Sequence, residues 1–476
     1  MSYQALDQAT TSLARWFLRE GLHPGDRVAI HWSNSIQAVK VFFACFRAGL
    51  IAVPINVRLK ASEIAYILGH SNAAMCFSQP ELAPIAEEAR MECPALRRIY
   101  TDLPETAQAD GPALPEVDAG QPALIIYTSG TTARPKGVTH THQTLLCTSE
   151  LMRSVGVDGA QIVLVMTPLM HASGLYCDLL PAILGGTTTV LVPAFEPGAV
   201  LDAIERFRCT YTIGLPALIQ FLVEEQAHRP RDVSSMRLFY AGGDTVPVSL
   251  QERFQPLFGI PLQEAFGMTE SVPICRNPRE AIRSGSIGRL VEGVEAQVLD
   301  LFGEDVPEGD TGELAVRSPA NFIGYWDNPE ATAAALRDGW LYTGDLVRRD
   351  RDGYFWFEGR KKEIIIRGGS NISPQEVEEA LYQHPAVFEA GVIGKPHPVY
   401  GEQVVAFVSL REGHHATEQQ LRDFARKRLA DYKVPERVFF VPVLPKNATG
   451  KVQRRALKEL AVSQPDLAEQ GVVARV

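Results

Sequence analysis

The sequence predicts an α/β protein. A large N-terminal part holds two doubly wound α/β units followed by a small β subdomain, and a small mobile α+β domain closes the chain. Three observations predict this. Helix and strand patterns alternate over residues 6–101 and again over 123–265, the mark of twisted, mostly parallel sheets covered by helices. From Ser286 to Phe357 the texture changes to short β-rich runs between turn signals. Beyond Gly359-Arg360-Lys361-Lys362-Glu363 a shorter α/β pattern returns. A chain of 476 residues is too long for one core, and the boundary is placed between an N-terminal domain 1–360 and a C-terminal domain 361–476.

In order, Leu6 to Arg19 reads as a helix, Arg27 to Trp32 as a strand, Ile36 to Arg47 as a helix and Leu50 to Ile55 as a strand. A helix at Ala61 to Leu68, a strand at Ala73 to Ser78, a helix at Leu82 to Arg90 and a strand at Arg98 to Thr101 complete the first unit. A Pro/Ala/Gly/Asp-rich loop, Thr106 to Pro122, leads to the apolar strand Ala123-Leu124-Ile125-Ile126. The second unit expects helices at His142 to Val155, Leu175 to Leu184, Ala199 to Phe207, Ala217 to Gln226 and Ser249 to Phe258. Its strands are expected at Ile162 to Thr167, Thr187 to Val192, Thr210 to Ile213, Arg237 to Tyr240 and Leu262 to Ala265. In the last domain, Ser373-Pro374-Gln375-Glu376 and Thr417-Glu418-Gln419-Gln420 are capping boxes that open helices to about Tyr382 and Leu429. Strands are expected at Gly391 to Ile393, Val404 to Leu410 and Val438 to Val441.

Composition narrows the function. Hydrophobic content of 46% and charged content of 21% are those of a soluble globular chain. With a formal charge of −10, bulk attraction to nucleic acid is not expected. Seven cysteines occur singly, without a Cys-x-x-Cys pair, which fits a reducing cytoplasm rather than a zinc site or disulfide framework. No targeting segment is read at the N-terminus, and the most apolar helix candidate, Val39 to Ala48, is too short to span a bilayer.

The chemistry concentrates in a few ordered strings. Tyr127-Thr128-Ser129-Gly130-Thr131-Thr132-Ala133-Arg134-Pro135-Lys136-Gly137 follows the apolar strand directly. Hydroxyls and backbone N–H groups beside a glycine can wrap polyphosphate oxygens, and Lys136 adds a point charge. It is not a Walker loop, which ends Gly-Lys-Ser/Thr where this chain has Pro135-Lys136-Gly137. Three further turns fall at the carboxyl ends of strands, where doubly wound folds bind ligands: Pro168-Leu169-Met170-His171, Ala241-Gly242-Gly243-Asp244 and Phe266-Gly267-Met268-Thr269-Glu270. Tyr342-Thr343-Gly344-Asp345 and Pro445-Lys446-Asn447-Ala448-Thr449-Gly450-Lys451 lie further on.

In their order and spacing, these strings resemble the motifs of the adenylate-forming superfamily of acyl- and aryl-CoA synthetases, peptide-synthetase adenylation domains and luciferases. The likeness covers nearly the whole chain. Family members usually carry Gly at the position of Ala133, often Gln-Gly at Glu264-Ala265, and a further segment before the helix matching Tyr3 to Phe17. The resemblance implies ATP, Mg²⁺ and coenzyme A. Thr128, Ser129, Gly130, Thr131, Thr132 and Lys136 would hold the phosphates, with Thr131 in the catalytic set. Gly242, Gly243, Asp244, Glu264, Ala265 and Phe266 would surround the adenine, and Thr269 would meet the α-phosphate. Glu270 would hold the metal, and Asp345 with Arg360 would take the ribose. Lys451 would reach the acid carboxylate and α-phosphate. His171 would gate the acid pocket, Lys362 would mark the hinge, and Gly368 and Gly369 would line the CoA tunnel.

The implied reaction is ATP-dependent acid–thiol ligation. The substrate is a carboxylic acid, expected to be fatty or otherwise apolar, with an aromatic acid as runner-up. Pro168-Leu169-Met170-His171-Ala172-Ser173-Gly174 offers no carboxylate for an amino acid's ammonium group. A carrier-protein-loading domain, a luciferase-like oxygenase and, from another class, a non-catalytic nucleotide-binding regulator are the rivals. A homodimer is kept open.

Overall fold

The computed structural model describes residues 1–104, 112–128, 134–157, 159–300, 302–447 and 451–463. Strands Ile51–Pro54 and Ala73–Ser78 are buried along their whole length, and Arg27–His31 at all but its first residue. Such apolar runs belong to central strands covered on both faces. They form the middle of a seven-stranded sheet ordered Gly324–Tyr325, Lys136–Thr141, Pro122–Thr128, Ile51–Pro54, Arg27–His31, Ala73–Ser78, Arg98–Tyr100. The strands from Pro122–Thr128 to Arg98–Tyr100 pair in parallel; Lys136–Thr141 and Gly324–Tyr325 add an antiparallel edge.

That edge adds to the sequence reading, which places no strand between Ala123-Leu124-Ile125-Ile126 and the helix at His142 to Val155. The structure places a second strand, Lys136–Thr141, back along Pro122–Thr128, with Thr128 opposite Lys136. The described ends of the string, Thr128 and Lys136, therefore form the base of a hairpin. Its strand went unread because Lys-Gly-Val-Thr-His-Thr has a single large apolar side chain, yet every residue after Lys136 is buried.

The second sheet is ordered Arg289–Leu290, Ser271–Arg276, Gln263–Met268, Leu238–Gly242, Tyr211–Gly214, Ile162–Val165, Thr188–Leu191. Its last five strands are parallel and its first two antiparallel. The expected helix Leu175 to Leu184 is instead a π-helical turn, Ser173–Leu179, running into a short α-helix, Leu180–Leu184. Pro181 has no N–H to offer the Cys177 carbonyl four residues back. The Tyr211 hydroxyl donates to that carbonyl at 3.4 Å. The string at 266–270 is also less of a turn than expected: the strand runs on through Met268, leaving Thr269-Glu270 as a two-residue connection to Ser271–Arg276.

The β subdomain is a five-stranded sheet in which Trp340–Arg349 pairs with Thr311–Arg317, Leu336–Arg337 and Phe355–Arg360. The last sheet orders Ser370–Ile372, Ile365–Arg367, Gly401–Leu410, Val387–His397, with Arg437–Phe440 beside Gly401–Leu410. Helices Pro374–Tyr382 and Glu418–Arg426 cover it over a core of its own, including Ile365, Val377, Leu381, Val404 and Leu421. Thr417 and Gln420 form the reciprocal capping box. Ser373 caps its helix, but Glu376 turns away to Lys433, 2.6 Å distant.

This last unit rests on the second sheet's helices. Arg411 pairs with Glu224 at 2.5 Å, Phe388 packs on Phe221 at 5.7 Å between ring centroids, and the Val248 N–H donates to Glu379 at 3.2 Å. No helix among the described residues is long and apolar enough to cross a membrane.

The N-terminal helix Tyr3–Arg19 is tied to the first sheet through Phe17, which is fully buried and meets Phe77 edge-on at 5.8 Å. Phe17→Ala should lower unfolding free energy by about 3–5 kcal/mol, read from a denaturant titration. A loss under about 1 kcal/mol would mean that this helix is not part of the cooperative core.

Candidate active site

The site assembles where the two large sheets meet the β subdomain and the last domain. Thr269-Glu270 lies at the tip of the hairpin Gln263–Met268/Ser271–Arg276. Glu270 is 8% exposed, and its Oε1 accepts a hydrogen bond from the Tyr325 hydroxyl at 2.8 Å. Burial, then the Glu270 charge, pushes the Tyr325 hydroxyl pKa far up, so it stays a donor. The Lys136 ammonium sits 4.5 Å from the centroid of the same Tyr325 ring. Tyr325 thus joins the base of the phosphate-loop hairpin to the carboxylate. Of the loop residues, Thr128 and Lys136 face each other at the base, while Ser129, Gly130, Thr131 and Thr132 lie outside the described residues.

No set of three or more His, Cys, Asp or Glu side chains could hold a metal among the described residues. A single carboxylate, with one oxygen taking no hydrogen bond from the described residues, fits a hard cation that takes its other ligands from phosphate oxygens and water.

Asp345 and Arg360 are opposite each other on the antiparallel strands Trp340–Arg349 and Phe355–Arg360. The carboxylate lies 3.3 Å from Arg360 Nε. Gly344 before it has φ +74°, a conformation that glycine supplies at no steric cost. Burial raises the Asp345 pKa to about 6, against the lowering effects of Arg360 and Lys451.

Gly242 ends a central strand, and a Cβ there would stand 2.5 Å from the Ala265 carbonyl oxygen, leaving no room for a side chain. Gly243 and Asp244 are exposed beyond it, and Ala265, Phe266 and Thr269 are half-buried. Phe266 packs 6.1 Å from Phe357. Glu264 is buried against Gln251, and burial, reinforced by Glu379, holds its carboxyl pKa well up.

Lys451 comes from the last domain into this cluster. Its ammonium is within electrostatic reach of the Asp244, Asp345 and Glu270 carboxylates, the Arg360 guanidinium and the His171 ring. Burial is the largest influence and lowers its pKa; the three carboxylates oppose that. His171, at the end of the strand–turn leading into the π-helical turn, has its Nδ1 3.1 Å from Ser173 Oγ. Burial, then Lys451, drives its pKa down to about 3, so the ring is neutral.

Lys451 is fixed from both sides. Asn447 accepts its backbone N–H at 2.9 Å. Arg454, three residues on, makes a two-pronged bond to Glu378 at 2.9 Å and another to Glu363 at 3.0 Å. Arg454 and Tyr325 were missed by sequence reasoning. A basic residue three after the lysine, and a tyrosine in a Gly-Tyr-Trp run, carry no signal until the partners are known.

Lys362, Gly368 and Gly369 are not brought to the cluster. All three are exposed; Gly368 and Gly369 form the tip between Ile365–Arg367 and Ser370–Ile372. Lys361, beside Lys362, pairs with Glu313 of the β subdomain at 2.8 Å.

Known proteins match this geometry. A family described as "AMP-binding enzyme" matches residues 1–326, and its "AMP-binding enzyme C-terminal domain" matches 376–451. A feruloyl-CoA synthase from an Amycolatopsis species is 37% identical over 95% of this chain and 92% of its own length. A medium-chain fatty-acid–CoA ligase from Escherichia coli is 33% identical over 96% and 85%. The crystal structure of the anthranilate CoA ligase AuaEII in complex with anthranoyl-AMP aligns with TM-score 0.91 at 30% identity, over 97% of this chain and 93% of that one. The chain belongs to the AMP-binding, adenylate-forming family, and within it to the AMP-forming acyl-CoA ligases. Its reaction class is ATP-dependent ligation of an acid to CoA through an acyl-adenylate.

The raised Asp345 pKa has a visible consequence. An ionised carboxylate accepts two hydroxyl donors, whereas a protonated one loses part of that capacity. Because the folded pKa lies above the usual value, the protonated fraction grows as pH falls through about 6. With Asp345 in the ribose role that the resemblance implies, kcat/KM for ATP should therefore fall on the acid side with an apparent pKa near 6, and Asp345→Asn should abolish that limb while lowering the plateau at least tenfold. A wild-type profile flat from pH 5 to 7.5 would contradict it.

Proposed function

We propose that this enzyme activates a carboxylic acid with an apolar body as its adenylate and then passes the acyl group to CoA. One observation carries the proposal: the half-buried Lys451 has its ammonium within electrostatic reach of Glu270, Asp345, Arg360 and His171. In the first step a carboxylate oxygen of the acid attacks the α-phosphorus of ATP, and the bond to pyrophosphate breaks. In the second, the CoA thiol attacks the acyl carbon, and the bond to AMP breaks. The protein supplies positioning and charge rather than a nucleophile.

The roles are those the family resemblance implies, and the placement of the described residues supports them. Thr128 and Lys136, with Ser129, Gly130, Thr131 and Thr132, meet the phosphates. Asp345 accepts the ribose hydroxyls with Arg360 beside it. Gly242, Gly243, Asp244, Ala265 and Phe266 form the adenine wall, backed by buried Glu264. Thr269 meets the α-phosphate and Glu270 holds Mg²⁺, which when bound neutralises phosphate charge. Lys451 stabilises the crowded phosphorus, and neutral His171 borders the acid. For thiolysis, rotation about Lys361-Lys362 brings the Gly368-Gly369 tip in as Lys451 leaves, so that residues 361–476 move as a unit.

An apolar acid is supported by the turn 168–174, which presents no ionised side chain, and by buried Met170, Leu175 and Cys177. Asp178 does not alter this: it is fully buried, and burial raises its pKa strongly, so it offers no charge. An aromatic acid is the second reading, favoured by the feruloyl and anthraniloyl relatives. The test is a panel of straight-chain, aromatic and amino acids, following pyrophosphate and AMP with and without CoA. Apolar acids should release pyrophosphate, with thioester and AMP appearing on adding CoA. Amino acids outperforming them would overturn the substrate class, and no pyrophosphate from any acid would overturn the reaction.

A further inference from the structure

His140 has no part in the roles above, yet it is 1% exposed and uses both ring nitrogens. Nε2 lies 2.8 Å from the carbonyl oxygen of Thr269, 129 residues away on the other large sheet. Nδ1 lies 3.0 Å from Thr144 Oγ1. A carbonyl can only accept, so Nε2 carries the proton. Burial lowers the ring's pKa to about 4, so Nδ1 is bare and accepts a hydrogen bond from the Thr144 hydroxyl, which also lies 3.2 Å from the Thr141 carbonyl. Thr144 Oγ1 in turn receives the Thr141 N–H at 3.0 Å, in the cap of helix His142–Ser154. One directed chain therefore runs from Thr141 N–H through Thr144 O–H and the imidazole to the Thr269 carbonyl.

That carbonyl belongs to the peptide joining Thr269 to Glu270, the whole connection between two antiparallel strands. The next carbonyl, of Glu270, is held by the Phe322 N–H at 2.7 Å, and the carboxylate by Tyr325. The imidazole edge also packs on Tyr176, 5.1 Å between centroids and at 70°. We propose that His140 is a positioning residue for the nucleotide: its bond to the Thr269 carbonyl fixes the direction in which the Thr269 hydroxyl and the Glu270 carboxylate meet MgATP. An apolar side chain in its place leaves the carbonyl buried without a donor, and the two-residue turn is then free to twist.

This rests on the ATP-dependent reading, so the test reads binding as well as turnover. MgATP is titrated calorimetrically into the wild type and into His140→Leu, His140→Gln and His140→Asn. Glutamine's amide nitrogen reaches the place of Nε2, and asparagine's reaches only that of Nδ1. His140→Leu and His140→Asn should bind MgATP at least tenfold more weakly, and His140→Gln should come within about threefold of wild type. If the leucine variant does not fold, the Gln/Asn contrast decides. Equal affinity in all variants, or equal loss in Gln and Asn, would overturn the proposal and leave His140 a packing residue. A wild type that binds MgATP but activates no acid would sink the proposed reaction while the titration still decides His140.

Discussion

The site depends on one cation placed where burial works against its charge. Lys451 sits among Asp244, Asp345 and Glu270, and its pKa is nonetheless lowered, because desolvation outweighs the attraction of the carboxylates. A lysine held in that balance is a poor structural ion pair and a good receptor for an anion that arrives with the substrate. The surrounding elements serve the same end. The strand pair carrying Asp345 and Arg360 belongs to the β subdomain, while the hairpin tip carrying Glu270 and the turn carrying His171 both belong to the second large sheet, and all lie within electrostatic reach of it.

The lysine's own domain is held in place by contacts of a different kind. Arg454 is clamped between Glu378 and Glu363, and burial raises the Glu378 pKa to about 7 even with Arg454 against it. That cluster lies inside the last domain and fixes the lysine to it. Among the described residues, contacts with the rest of the protein include Arg411 on Glu224, Lys361 on Glu313, the Phe221–Phe388 pair and the Glu379 bond to Val248. Half-exposed pairs of this sort contribute little each. Contacts of this kind are compatible with the proposed rotation of the last domain.

Much of the fold was legible from apolar alternation. The parallel strands are short, apolar and separated by helices with clear periods. What was lost is instructive. Lys136–Thr141 reads as loop because its burial comes from strands placed beside it, 300-odd and 120-odd in the sequence, rather than from its own side chains. The π-helical turn follows from Pro181, whose effect on the Cys177 carbonyl is satisfied by Tyr211 from another strand. For the site, ordered strings bring Glu270, Asp345 and Lys451 to notice on resemblance. Tyr325, His140 and Arg454 act only through partners 55, 129 and 76 residues away. The acid itself is the least legible feature, since its pocket is drawn from several loops and a single methylene is worth about 1–3 kcal/mol.

The central claim is that one lysine serves adenylation and then withdraws, and half-reactions of Lys451→Ala test it most directly. Pyrophosphate release from acid and MgATP should fall by about 10²–10³, the ~3–4 kcal/mol of a lost transition-state contact. Conversion of a supplied acyl-adenylate to acyl-CoA by the same variant should stay within a few-fold of wild type. Equal damage to both steps would contradict the account and favour a single closed site for the whole reaction.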